Sequence, residues 1–248
     1  MARTCVFCGD SPLTNEHVLP QWLKSAFEPS MLPRVRFVKV TDTGARDHIA
    51  PLLNDQVKVV CANCNSGWMN DLEEGVRAFL PALIRGGLAI LDPEEQHALT
   101  AWSLKTMLMY QHTHRRADQV AIPPEDFKAF YEERTANRLM TARIAFMLYP
   151  PDDSIPLVDT LYQGHGETDD SERAWIGTLK IGCLVVQILR LGPLDDDRRV
   201  LPFPNTASTR TISPSTRRIG WPLRHPIPYE HMRRLAHPEI LNWQTTTL

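Results

Sequence analysis

Two Cys-x-x-Cys pairs, Cys5-Val-Phe-Cys8 and Cys61-Ala-Asn-Cys64, constrain this chain more than any other feature. Each pair puts two sulfurs on one tight turn, and four thiolates at about 2.3 Å complete a tetrahedral zinc shell. The first 20 residues carry Cys5, Cys8, Asp10, Glu16 and His17 rather than an apolar leader, so a cytoplasmic setting is expected. Thiols stay reduced there, and the pairs read as zinc ligands instead of disulfides. Between Cys8 and Cys61 lie 52 residues, so the metal must bracket a substantial insert. A closed four-thiolate shell leaves no open position for substrate. The zinc is therefore structural, and any chemistry lies in what it holds together.

The 248 residues are 43% hydrophobic and 23% charged, which suits one or two folded domains and excludes disordered, collagenous and disulfide-scaffold classes. No apolar run approaches the 18 residues or so of a membrane helix. The net charge of −2 is unevenly spread. From Arg198 onward there are eight arginines, no lysine and only Glu230 and Glu239, a local balance of +6 that points to a polyanionic partner.

Periodicity predicts a helix from Asn65 to Leu83, with Asn65 or Ser66 as its cap and Gly86-Gly87 as its end. Asp92-Pro93-Glu94-Glu95 opens a second helix reaching about Arg115, and Pro123-Pro124-Glu125-Asp126 opens a third ending near Asn137 or Met140. Apolar runs at 143–149, 157–163, 174–181 and 183–191 read as strands of one small sheet, with Cys183 buried in the last and Gly164-His165-Gly166 as a turn. The last fifty residues hold seven prolines and read as an extended segment wrapping the body, anchored by Trp221 and Trp243, with a short helix near Tyr229–Leu235.

The bracketed region contains Thr14-Asn15-Glu16-His17-Val18-Leu19-Pro20, and the second knuckle runs directly into Asn65-Ser66-Gly67-Trp68-Met69-Asn70-Asp71. A first knuckle, an acid-His-Val-Leu-Pro segment and a second knuckle leading into a helix resemble the zinc-stapled, four-cysteine branch of the HNH endonucleases. The resemblance spans roughly residues 3 to 80. It implies an α+β protein with an N-terminal ββα-metal (HNH-like) zinc-stapled module over residues 1–90. A helical and small antiparallel-sheet region follows at 91–195, with a Pro/Arg-rich extension at 196–248.

By that resemblance His17 is the general base and Glu16 a ligand of one divalent cation. Asn65 stands where the family often has its last histidine, and its hard carbonyl oxygen favours Mg2+ or Mn2+. The family's middle asparagine falls on Gln56, with Asn54 as the alternative. Asn70 and Asp71 are further candidate metal ligands. Glu16 and His17 face opposite ways on a regular strand, so a bend near Pro20 is expected if both are to serve one phosphate. Trp68 and Met69 read as packing over the knuckle, and His112, His114, Arg115 and Arg116 as a solvated helix end.

The implied function is a metal-dependent endonuclease that hydrolyses phosphodiester bonds of nucleic acid, with duplex DNA as the expected partner. A histidine base suits this chemistry because its pKa lies near neutral pH. The alternative is a non-catalytic zinc module that binds nucleic acid or a protein. A third reading, a thiol redox protein, predicts reactive cysteines, whereas zinc-bound thiolates resist alkylation.

Overall fold

The computed structural model describes residues 4–27, 34–41, 44–51, 53–113, 122–136, 140–148, 158–165, 174–190, 205–215 and 217–235. Strand β1 (Leu13–His17) is followed by a 3-10 turn (Gln21–Ala26), the paired strands β2 (Arg34–Thr41) and β3 (Gly44–Pro51), and β4 (Gln56–Cys61). Strand β4 returns to pair antiparallel with β1. The insert between the knuckles is thus an excursion that leaves and re-enters the same two-stranded unit.

From β4 the chain passes into α1 (Ala62–Cys64), a π turn (Asn65–Met69), α2 (Asn70–Arg77) and α3 (Leu80–Arg85). Helical structure therefore begins three residues before the expected Asn65, because the knuckle is itself the first turn, entered from an extended Cys61 (φ −82°, ψ 166°). Asn65 does not cap it: its backbone is already helical (φ −61°, ψ −55°), and a cap residue must be extended. The expected continuous helix is also broken twice. Gly67 is non-helical (φ −96°, ψ −119°), and a new helix starts at Leu80, where Pro81 is tolerated because first-turn N–H groups have no helical partner. Gly86 then stops α3 in the left-handed conformation (φ 70°).

After β5 (Ala89–Leu91) comes α4 (Pro93–Tyr110), started by a capping box in which the Glu95 amide donates to Asp92 Oδ1 and the Asp92 amide to Glu95 Oε2, both at 2.9 Å. Every residue from Leu99 to Tyr110 is buried, including the polar Thr100, Ser103, Lys105 and Thr106, so this part of α4 has no solvent face. Its end falls at Tyr110 with a turn through Thr113; Arg115 lies outside the described residues. Helix α5 (Pro124–Glu133) is shorter than expected, since Arg134 turns left-handed (φ 58°) and Met140 already belongs to the next strand.

Strands β6 (Met140–Phe146), β7 (Val158–His165), β8 (Ala174–Ile181) and β9 (Leu184–Arg190) form the expected antiparallel sheet. A fifth strand, β10 (Thr209–Ser213), completes the order β10-β6-β9-β8-β7. The C-terminal fifty residues are thus not only a wrapping segment: they supply this edge strand, and β11 (Ile219–Trp221) pairs with β5. Trp221 is buried as expected, while Trp243 lies outside the described residues. Gly164 and His165 belong to β7 instead of a turn. The short helix falls where expected, as α6 (Tyr229–Leu235).

One hydrophobic cluster joins Phe7, Val76, Leu80, Trp102, Ile188 and Ile212, crossing positions 90 and 195. A smaller one, with Ala145, Val185, Ile227 and Met232, covers the other face of the sheet. Burial on both faces explains why β6 and β9 read as apolar runs without alternation. Among the described residues no helix is long and apolar enough to cross a membrane.

Cys183 is buried in the β8–β9 turn, one residue short of the expected strand, and its amide donates to Ile84 O at 2.8 Å. The turn needs Gly182 (φ 55°), where a Cβ would stand 2.4 Å from that same carbonyl oxygen. Gly182→Ala is expected to cost about 2 kcal/mol or more, combining left-handed strain with displacement of the end of α3. A thermal melt should show a midpoint lower by roughly 4 to 8 °C. An unchanged midpoint would mean that the turn rebuilds freely.

Candidate metal centre and the His17 site

The pairing of β1 with β4 sets Leu13 opposite Cys61 and so brings the two knuckles together. The first knuckle is a turn closed by Cys5 N–H to Asp10 O at 2.8 Å and Gly9 N–H to Cys5 O at 3.0 Å. It is tied to β4 by Val6 N–H to Val59 O at 3.0 Å. The four sulfurs lie within 4.8 Å of one another. Sγ–Sγ separations are 3.5 Å for Cys8–Cys61, 3.6 Å for Cys8–Cys64 and 3.8 Å for Cys5–Cys64. Sulfurs at 2.3 Å from a tetrahedral centre are about 3.8 Å apart. The cluster can therefore hold one metal ion such as zinc, and none of the four cysteines is in a disulfide.

Burial pushes the Cys64 thiol up to about 11, against the pull of Trp68 and Cys8, and burial also raises Cys8 well above the ordinary thiol range. Cys5 is held below that range: burial opposes ionisation, but the Cys8, Cys61 and Phe7 amides outweigh it. A central dication favours the thiolate form at all four positions. Trp68 and Met69 do pack here, as expected. Met69 is buried, and Trp68 meets Phe7 edge-on at 4.9 Å and Phe130 at 5.5 Å. The guanidinium of Arg134 lies 4.3 Å over the Trp68 ring and 3.9 Å over Tyr131.

His17 ends β1, directly opposite Gln56. Gln56 Nε2 lies 2.7 Å from His17 Nε2. When the amide donates, the imidazole is neutral and carries its proton on Nδ1. The family-derived position for Gln56 thus falls on a residue in contact with His17. Asn54 is elsewhere, its Oδ1 accepting from Lys24 Nζ at 3.1 Å.

Glu16 is on the opposite side of the strand. It is 6% exposed, and its Oε1 accepts from Lys105 Nζ at 3.3 Å. Lys105 is fully buried and also donates to Glu73 Oε1 at 2.7 Å. Burial raises the Glu16 carboxyl above its ordinary value; Lys105 opposes this and Glu73 adds to it. The chain does bend where expected, at Val18 and Leu19 just before Pro20, and β1 carries a bulge between Thr14 and Glu16 as well, yet Glu16 and His17 keep separate partners. Asn65 Nδ2 donates at 3.2 Å to both Thr14 Oγ1 and Asn15 O, fastening the helical segment to β1. Asn70 and Asp71 are exposed at the start of α2.

Lys105 is not among the residues that the sequence marks as functional. Its one signal is that no other Asp, Glu, Lys or Arg lies between Gln96 and Gln111. His112 is half-buried, with its ring 5.4 Å from Phe127, instead of solvated; His114, Arg115 and Arg116 lie outside the described residues. No protein-family model, curated protein or solved structure matches the chain.

Proposed function

We propose that the chain is an HNH-type endonuclease whose four cysteines hold a structural zinc and whose base is His17. The observation that carries this reading is the combination of the His17–Gln56 contact on a two-stranded unit with Asn65 fastened to the same strand, beside four clustered sulfurs. Strand, strand and helix in that arrangement are the parts that a ββα-metal module requires.

A catalytic Mg2+ or Mn2+ fits the residues only in part, because the Glu16 carboxylate is paired with Lys105. Asn65 spends its Nδ2 on β1, which leaves its amide oxygen as the hard donor that would hold such an ion. When bound, it supplies positive charge to the phosphate oxygens. The protein's own residues handle the proton. A half-turn of the Gln56 amide lets Oε1 accept from His17 Nε2–H, which leaves the Nδ1 lone pair to take a proton from water. The hydroxide attacks phosphorus in line, the P–O3′ bond breaks, the leaving oxygen takes a proton from solvent water, and His17 returns its own proton to solvent. Arginines of the C-terminal segment contribute phosphate contacts and make binding salt-dependent.

A general base contributes about 10² to 10⁴ in rate. Zinc-loaded protein should therefore nick supercoiled plasmid in magnesium or manganese, and His17→Ala should cut at least about a hundredfold more slowly with an unchanged melting midpoint. Equal cutting by both proteins, or cutting of no nucleic acid by either, rules the reading out. The second reading, a zinc module that binds without cutting, is favoured by one observation: Glu16 and Asn65 both already serve structural contacts. It predicts full nucleic-acid or protein binding in His17→Ala and no dependence on magnesium.

A further inference from the structure

A cleft of about 330 Å³ lies between the turn entering β10 and the segment around β11. Its polar lining among the described residues is Asn205, Arg210, Thr211, Arg217, Arg218 and Arg224, none of them acidic. Arg217, Arg218 and Arg224 are exposed, and Arg210 is half-buried. Elsewhere the described arginines with ion pairs have carboxylate partners, as in Arg77–Glu74 and Arg190–Asp126. Among the described residues no carboxylate pairs with any of these four. On a chain of net charge −2, four guanidiniums around one concavity with no carboxylate partner among the described residues are a local excess that calls for an anion.

The backbone that carries them is pinned into the core. Gln96, which is fully buried on α4, donates through Nε2 to Arg217 O at 2.7 Å and Leu91 O at 2.9 Å, and its Oε1 accepts from Ser215 Oγ at 2.9 Å. The next residues, Ile219–Trp221, pair with β5, and the Trp221 ring packs edge-on against Phe146 at 5.4 Å. On the other wall, Asn205 Oδ1 accepts from the Thr211 amide at 2.8 Å, and the Arg210 guanidinium donates to the carbonyls of Thr206 and Thr209. A buried glutamine that satisfies two groups of the arginine-bearing segment, and ties them to β5 through Leu91 O, holds that backbone in place before any ligand arrives.

We propose that this cleft binds the phosphodiester backbone of nucleic acid. Guanidinium forks match phosphate oxygens, and several separate forks around one cleft suit a ligand with successive phosphates better than a single phosphoryl group. The contacts carry no sequence information; they position the strand. The choice of nucleic acid as ligand rests on the nuclease reading, whereas the anion site stands on the cleft itself.

The test is fluorescence anisotropy with labelled duplex and single-stranded DNA across a salt series. It compares the wild type with Arg217→Ala/Arg218→Ala/Arg224→Ala and with the corresponding triple lysine variant. Each lost phosphate contact flattens the slope of log K against log salt by about 0.9, so the alanine variant should be shallower by roughly two to three. It should also bind at least about tenfold more weakly at low salt. The lysine variant keeps the charges and should hold most of the slope. All three positions are exposed, so the melting midpoint should not move.

Wild-type affinity and slope in the alanine variant overturn the proposal, as does a wild type that binds neither DNA form. If the arginine variant loses binding while His17→Ala still cuts, the cleft stands and the base assignment falls. If His17→Ala stops cutting while the arginine variant binds as wild type does, the cleft falls alone.

Discussion

Stripping the metal from this protein is expected to unfold it. The four sulfurs tie the start of the chain to the junction of β4 and α1, and Cys5, Phe7, Cys61 and Cys64 are all part of the main core. Structural zinc in small modules contributes about 10 to 16 kcal/mol, comparable with the whole stability of an ordinary domain. Purified protein should carry one zinc per chain by atomic emission. Cys61→Ser, or a strong chelator added to the wild type, should abolish the cooperative thermal transition or lower its midpoint by tens of degrees. Alkylation separates the redox reading in the same samples: the four thiols should react slowly until the chelator is added and quickly after it. A metal-free preparation with an unchanged melt would sink the zinc assignment.

Replacing Lys105 should have the next largest effect. Its ammonium is fully buried and is held between two carboxylates, Glu16 from β1 and Glu73 from α2. Lys105→Met keeps the volume of the stem but leaves both acids without their cation, and breaking a buried ion pair from one side costs about 3 to 5 kcal/mol. Adding Glu16→Gln and Glu73→Gln to that variant should recover most of the loss, because neutral amides no longer need a counter-charge. Chemical denaturation of the single and triple variants checks both statements. A triple variant less stable than Lys105→Met alone would show that the acids stabilise through contacts other than this one.

The features legible in the sequence were those encoded over short distances. The knuckles declare themselves by spacing, α4 by Asp92-Pro93 and Glu95, and β6, β8 and β9 by apolar runs between turn residues. What escaped depends on partners far away in the chain. Lys105 has no local oddity that names Glu16, and β10 is a five-residue strand whose pairing with β6 is invisible among prolines. The helix after the second knuckle begins ahead of the capping residues Asn65 and Ser66, because the turn that starts it is dictated by where two sulfurs must point. In the site, the position of Gln56 came through resemblance, and the structure sets its amide against His17. The separation of Glu16 from His17 needed the neighbour on α4 to be seen.

The cysteine cluster also imposes an order on synthesis. Cys61 follows Cys8 by 53 positions, and Lys105 follows Glu16 by 89. At about 5 to 20 residues per second, the second thiol pair leaves the ribosome roughly 3 to 10 s after the first, and the lysine roughly 4 to 18 s after its glutamate. During that interval β1 has no partner strand, Cys5 and Cys8 form half of a chelate, and Glu16 is an ordinary solvated acid. The segment from Cys5 to His17 thus waits for residues 56 to 105 before it can acquire its structure.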